Sequence, residues 1–233
     1  MSAATDGQDD RPLLAARCVT RAFGATEALR GADVDVRAGE IVALMGPSGS
    51  GKSTLLHCLA GILTPDAGEV WFDGARLDRL GDRARTELRR RRFGFVFQFG
   101  QLVPELAAIE NVALPLLLDG RSRADALATA GPWFARLGLD GLERRRPGEL
   151  SGGEGQRVAM ARALIGGPDV VFADEPTGSL DSLAGERVMD LLVDTAREQG
   201  ATVLLVTHDA RVAAYADREV VVRDGRVRDR VTA

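Results

Sequence analysis

The stretch MGPSGSGKSTLL, Met45 to Leu56, restricts the possible folds more than any other part of the chain. An apolar run, IVALM, leads into glycines and serines, then one lysine, two hydroxyls and a second apolar run. Gly46-Pro47-Ser48-Gly49-Ser50-Gly51-Lys52-Ser53 has the spacing G-x-x-x-x-G-K-[ST], with a strand pattern before it and a helix pattern after it. Glycines let backbone N–H groups turn inward around an anion, where a Cβ would obstruct them. The following helix aims its N-terminus at the same point. Lys52 is then placed to reach the β- and γ-phosphates of a nucleoside triphosphate, and the Ser53 hydroxyl to ligate Mg²⁺. A flexible Gly/Ser turn accounts for the glycines but not for a Lys-Ser pair opening a helix.

A phosphate loop of this kind needs a sheet, and the chain has the length for one: 233 residues suffice for a single α/β domain with a well-buried core. Residues 13 to 45 read as short strands with turns, one of them at Ala38-Gly39. Lys52 to Leu63 reads as a helix stopped by Pro65 and Gly68. EVWFDGARL follows as strand with an Asp-Gly turn, RARTELRRRR as a polar helix, and FGFVFQ, Phe93 to Gln98, as a β-rich run. From about Gln101 to Gly167 helical periods take over, broken at Pro104, Pro115, Gly131-Pro132 and Pro147, which predicts a helical insertion. DVVFADEP returns to a strand buried on both faces, residues 182 to 199 form a helix, ATVLLVTHD is a further buried strand and REVVVRDGRV a closing hairpin. Strands alternating with helices predict a mostly parallel sheet.

The bulk properties exclude several classes. Net charge is −4, so no general basic field favours nucleic acid, and none is expected as a partner. The arginine clusters at Arg89 to Arg92 and Arg144 to Arg146 read as solvated helix faces or caps. Cys18 and Cys58 sit in apolar company outside any CxxC or Cys/His pattern, which predicts buried reduced thiols. MSAATDGQDDRP is polar and acidic without an apolar segment, so residues 1–12 are expected to be a disordered tail rather than a signal peptide. The best apolar run, Val112 to Leu118, is short and contains a proline, so any membrane role must come through a partner.

Four further stretches choose among NTPase classes. In VVFADEP, Asp174 and Glu175 end a buried strand, where ligands sit in open α/β sheets. Asp174 is placed to hold Mg²⁺ through water and Glu175 to act as general base on the attacking water. In LSGGEGQRVAMARAL, Ser-Gly-Gly precedes an amphipathic helix. It is either a plain N-cap with flexible glycines or a second anion-binding helix start. One nucleotide does not need two such sites from one chain; two chains packed head-to-tail would supply one each. VLLVTHD and FVFQ place His208 and Gln98 after apolar strands, within reach of a γ-phosphate, metal or water. His57 reads as an ordinary helix residue.

Together these residues resemble the ATP-binding subunit of ABC transporters, from about Leu13 to Val227 and in the family's order: Walker A at 46–53, Q-loop at Gln98, signature LSGGE at 150–154, Walker B ending at Asp174-Glu175, D-loop Ser179-Leu180-Asp181 and switch His208. The resemblance implies a RecA-like α/β core, a small antiparallel β-subdomain and a helical subdomain at about 101–167, all within one domain at 13–233. It implies ATP and Mg²⁺ as cofactors, with ATP on Gly46, Pro47, Ser48, Gly49, Ser50, Gly51, Lys52, Ser53 and Thr54 and the metal on Ser53, Gln98 and Asp174. Ser151, Gly152, Gly153, Glu154 and Asp181 would act in trans, across a dimer with a second copy or a paralogous ATPase subunit. Glu175, His208 and Gln98 would be the catalytic set. Phe23, in RAFG, falls where the family stacks an aromatic on adenine.

ADEPTGSLD and FGFVFQFGQLVPELAAIENVALPLLL are similar to patterns of the LolD/MacB-type branch, which works with permeases bearing large extracytoplasmic domains. This implies export or extraction, a permease contact in the region after Gln98, and a position on the inner face of the cell membrane. An FtsE-like cell-division ATPase without substrate transport is the alternative, and a phosphate-loop kinase is disfavoured by the signature. The branch usually carries arginine or glutamine where this chain has Gly155. Glycine there costs about 1 kcal/mol against alanine in a first helical turn.

Overall fold

The computed structural model describes residues 11–230. Its first half runs β1 (Leu14–Phe23), β2 (Thr26–Val36), β3 (Ile41–Met45), α1 (Lys52–Leu59), β4 (Ala67–Phe72), β5 (Ala75–Arg76), α2 (Asp82–Arg92) and β6 (Phe93–Phe97). The second half runs α3 (Ala108–Leu118), α4 (Arg123–Arg136), a 3₁₀ turn at Pro147–Glu149, α5 (Gly152–Leu164), β7 (Val170–Asp174), α6 (Ser182–Gln199), β8 (Thr202–Val206), α7 (Ala210–Ala213), β9 (Arg218–Arg223) and β10 (Arg226–Arg230).

Side-chain pattern sorts the strands into two sheets. In β2, Leu29, Ala32, Val34 and Val36 are buried while Arg30, Asp33 and Asp35 face water. That alternation suits an antiparallel sheet with one wet face, and β2 joins one in the order β2-β1-β4-β5. β3, β7 and β8 are apolar except for Asp174 at the end of β7 and Thr202 at the start of β8, and are buried on both faces. They lie inside a six-stranded sheet ordered β10-β9-β3-β8-β7-β6, parallel except for the β9–β10 hairpin. Successive residues of each central strand enter opposite cores, as the two-residue period requires. Ile41, Val171, Ala173, Val203 and Leu205 pack with α3–α6. Val42, Leu44, Val170, Phe172, Leu204 and Val206 pack with α1 and the antiparallel sheet. This is the α/β architecture with an antiparallel β-subdomain that the sequence implied.

The register of the parallel strands sets up the chemistry. Leu44 pairs with Val206, Val206 with Asp174, and Asp174 with Phe97. The four strands therefore end level, and Gly46, His208, Glu175 and Gln98 emerge side by side at their carboxyl ends.

Several local expectations are corrected. α1 ends at Leu59, not Leu63. Gly61 takes φ +63°, and the N–H groups of Gly61, Ile62 and Leu63 turn back onto the carbonyls of Cys58 and His57. Pro115 and Gly131-Pro132 do not break helices but lie inside α3 and α4. An interior proline costs ~3 kcal/mol, but α3 packs on both α4 and α5 through Val112, Ala113, Leu116, Ala126, Ala130 and Phe134, and that burial prevails. The arginines at the end of α2 are not simply solvated. Arg89 donates to the Gly61 carbonyl (2.6 Å), Arg90 to that of Leu118 (2.7 Å) and Arg91 to Asp119 (3.1 Å), while Arg92 pairs with Asp169. Arg144, Arg145 and Arg146 are exposed as expected. The tail expected at residues 1–12 falls, for 1–10, outside the described residues.

Cys18 is exposed rather than buried. An irregularity in β1 lets Ala16 and Val19 both face the core, and Cys18, at φ +48°, turns outward with its N–H on Asp33 (2.9 Å). Cys58 is buried in α1, and burial pushes its thiol up to about 12. A thiol reagent at neutral pH is therefore expected to label one cysteine of the native chain, Cys18, and both after denaturation. Mass spectrometry of the labelled peptides checks this, and rapid labelling of native Cys58 would contradict it.

Candidate active site

The phosphate loop joins β3 to α1 and is pressed against the hairpin strand β9. A Cβ on Gly46 (φ +148°) would stand 2.1 Å from the Val222 carbonyl oxygen, so only glycine fits there. Lys52 is buried, and its Nζ donates to the carbonyls of Gly46 and Pro47, each at 2.9 Å. The ammonium is thus held over the loop it serves.

A cavity of about 630 Å³ opens beside the loop. Pro47, Ser48, Gly49, Gly51, Lys52, Ser53 and Thr54 line it together with Ala28, Gln98, Glu175 and His208. A second pocket of about 240 Å³ adjoins it, sharing Ser53, Gln98 and Glu175 and adding Asp174. Ser53 Oγ donates to Asp174 Oδ1 at 3.1 Å. Burial raises the Asp174 pKa above the usual carboxylate range; the Ser53 hydrogen bond and the charges of His57 and Lys52 oppose this, and Glu175 adds to it. Hydroxyl, carboxylate and amide oxygens are the hard donors that suit Mg²⁺. Among the described residues no group of three or more His, Cys, Asp or Glu side chains could hold a metal alone.

Glu175 follows β7 with φ +49°, an uncommon conformation for a residue with a side chain. Its N–H bonds the Val206 carbonyl (2.9 Å), and its own carbonyl accepts from Gly178 (3.0 Å). These bonds hold the strained backbone and leave Oε1 2.7 Å from Nδ1 of His208.

The other expected residues stand elsewhere. Ser151 caps α5: its Oγ accepts from the Glu154 N–H (3.3 Å) and its N–H donates to Glu154 Oε2 (2.7 Å). The Ser151 N–H bond, with a smaller contribution from the Ser151 side chain, holds the Glu154 carboxyl below its ordinary pKa. Ser151, Gly152, Gly153 and Glu154 line neither cavity. Asp181 caps α6 through the Ala184 N–H (2.9 Å) and lines a separate small cleft with Thr177 and Arg211. Phe23, 49% exposed, ends β1 opposite Thr26 and does not line the cavity either. Ala28, which does, lies two residues beyond Thr26, about 7 Å along the strand.

Sequence reading missed the residues that hold this constellation. Gln156 on α5 donates to the Phe97 carbonyl (2.8 Å), and Arg162 to those of Gly100 (2.7 Å) and Gln101 (2.9 Å), so the signature helix grips the loop that carries Gln98. Ser179 Oγ donates to the Gln98 carbonyl (2.7 Å), and a Cβ on Gly178 would stand 2.8 Å from the Gln98 amide nitrogen. Gly225, in the β9–β10 turn, donates to the Ser50 carbonyl (3.0 Å) and accepts from Arg30 (2.7 Å), tying the phosphate loop to β2. All are long-range contacts, most of them to backbone carbonyls, for which sequence carries no local signal.

A Cβ on Gly155 meets only Leu102, at 4.0 Å, so a side chain fits there. Gly155→Arg is expected to leave ATP affinity near the parent's and to change steady-state turnover; indistinguishable ATPase rates would refute a role for this position.

A family model described as "ABC transporter" matches residues 29–178. Among curated proteins, the chain is 50% identical over 205 residues to the lipoprotein-releasing system ATP-binding protein LolD of Cereibacter sphaeroides, covering 88% of this chain and 91% of that one. It is 46% identical over 210 residues to LolD of Hyphomonas neptunium, covering 90% and 92%. Among solved structures, a dimeric ATP-binding cassette in a post-hydrolysis state with ADP and Pi superposes with a TM-score of 0.85 at 39% identity, covering 93% of this chain and 97% of that one. The loop, the level strand ends and these likenesses agree, and the chain belongs to the ABC transporter family as an ATP-binding, ATP-hydrolysing subunit.

Proposed function

We propose that this chain is the ATPase of a lipoprotein-releasing system or a related exporter, closing as a dimer on two ATP and driving a separate membrane permease. The observation that carries the dimer is a division within the fold. Lys52, Ser53, Gln98, Glu175 and His208 line one cavity, while Ser151, which caps α5, and Gly152 and Gly153, which open it, line no part of that cavity. A second copy, or a paralogous subunit, would bring its signature to this cavity. The likeness to LolD proteins supports the cargo class.

In this reading Lys52 leaves the Gly46 and Pro47 carbonyls for the phosphates, and Gly46 to Thr54 cradle them. Glu175 takes a proton from water as its oxygen attacks the γ-phosphorus and the bond to the β-phosphate oxygen breaks. His208 holds the Glu175 carboxylate, and Gln98 borders the attacked group. Ser53, Asp174 and Gln98 would hold Mg²⁺, which when bound neutralises charge between the phosphates.

We assign the permease contact to an apolar groove of about 640 Å³ that shares Phe97 and Gln101 with the pocket holding Asp174. Ile62, Phe93, Phe95, Leu118 and Gln101 line it, and Gln101 belongs to the loop carrying Gln98. Phe99 and Leu118 are 76% and 59% exposed, an apolar surface that water disfavours. Among the described residues no helix is long and apolar enough to cross a membrane, so the anchor at the inner membrane face is the permease. The test is a mild-detergent pull-down from native membranes. A permease with few spans and a large outer domain is expected, retained by the parent and lost with Leu118→Glu at unchanged ATP affinity. A single small partner without a cargo surface would favour the FtsE-like reading, and no membrane partner would overturn the proposal.

A further inference from the structure

Phe23 is not a bare ring on the surface. The Arg21 guanidinium carbon stands 5.1 Å from its centroid, over one face. Arg21 is itself fixed: Nη1 donates to Asp66 Oδ1 at 2.5 Å and to the Thr64 carbonyl at 3.2 Å. The other Asp66 oxygen accepts the Ala22 N–H at 2.7 Å, and the Asp66 N–H donates to the Thr20 carbonyl at 2.9 Å. One carboxylate thus grips both the Arg21 side chain and the strand that leads to Phe23. Asp66 lies in the link between α1 and β4, and α1 begins at Lys52. The guanidinium Nε is buried without a hydrogen-bond partner, so not every donor of this arginine is spent on anchoring.

We infer that Arg21 is a positioning residue for the nucleotide base; this rests on the reading of Phe23 as the adenine platform. With a planar cation against one face, the ring presents the other face to a purine. The Asp66 anchor holds that platform at a set distance from the helix that opens under the phosphates. A guanidinium suits this role better than an ammonium, because its flat plane stacks on the ring while Nη1 alone reaches both Asp66 and Thr64.

The experiment uses the full chain and two probes, Mg²⁺-ATP and inorganic tripolyphosphate, which lacks the base. Binding is read from the shift in unfolding temperature, and KM and kcat from steady-state hydrolysis. Arg21→Met is expected to raise KM for ATP by about 3- to 10-fold with kcat nearly constant, because stacking and cation–π contacts of this size act on the base alone. Tripolyphosphate affinity is expected to hold, and Arg21→Lys, which keeps a cation against Asp66, to show a smaller rise in KM. Arg21→Lys also carries the test if Arg21→Met does not fold. Equal weakening of ATP and tripolyphosphate would overturn the inference, since Arg21 would then support the phosphate loop generally. Unchanged ATP binding in both Arg21 variants, with weakened binding in Phe23→Ala, would overturn it while leaving the platform reading intact. Unchanged ATP binding in Phe23→Ala would remove the platform reading itself.

Discussion

Glu175→Gln is expected to lower ATP turnover by about 10²–10⁴-fold, the usual contribution of a general base, while ATP still binds. The substitution is isosteric and removes only the basic oxygen. The backbone at φ +49° is held by Val206 and Gly178, so the amide will occupy the carboxylate's place beside His208. ATP that binds without being cleaved leaves the closed pair of chains with no route to reopen. The ATP-bound variant should therefore elute as a dimer where the parent returns to monomer after turnover. Single-turnover phosphate release and gel filtration check the two halves separately. Parent-like phosphate release would remove Glu175 from the role of base.

Gly46→Ala is expected to reduce ATP affinity by at least about tenfold and to lower the unfolding temperature. The new Cβ would lie 2.1 Å from the Val222 carbonyl and 3.0 Å from Ser50 Oγ. Val222 is itself fully buried on β9, which pairs with β3, so the loop rather than the strand has to move. Forced backbone of this kind costs on the order of 1–3 kcal/mol, and the cradle loses its shape as well. Gly49→Ala is the control: at φ +75° it also strains the backbone, but nothing lies within 4 Å of its Cβ. A milder loss is expected there. Calorimetric titration with ATP separates the two, and parent-like binding by Gly46→Ala would contradict the packing argument.

Both predictions join a feature readable in sequence to one that is not. IVALM, VVFAD and TVLLV announce buried parallel strands, because only a strand covered on both faces is apolar without alternation. Asp73-Gly74 and Asp224-Gly225 mark hairpin turns, because both positions need φ above zero, and all four residues adopt it. The 182–199 helix was bounded by Asp181 as a cap and Gly200 in the left-handed region, signals that act within a few residues. The phosphate loop is of the same kind, its glycines, lysine and serine all within eight residues.

Tertiary packing decided what these local signals left open. Pro115 and Pro132 stay inside helices because apolar faces on α3, α4 and α5 bury together, at a gain larger than one lost backbone bond. Cys18 faces outward because a one-residue irregularity reverses which side of β1 it occupies. The arginines of α2 anchor to Gly61, Leu118 and Asp169, carbonyls and a carboxylate up to 77 residues away. Gln156, Arg162 and Gly225 hold the site through backbone carbonyls, and Gly178 leaves room for the Gln98 side chain, all partners that only the folded chain defines. By itself, then, the sequence singled out the candidate phosphate-binding residues, since that reading depends on residue type and short spacing. The strand register decided that Gln98, Glu175 and His208 end level with the phosphate loop and share one cavity with Ser53, because hydrogen bonds between distant strands set which ends lie level; Ser151 does not line that cavity.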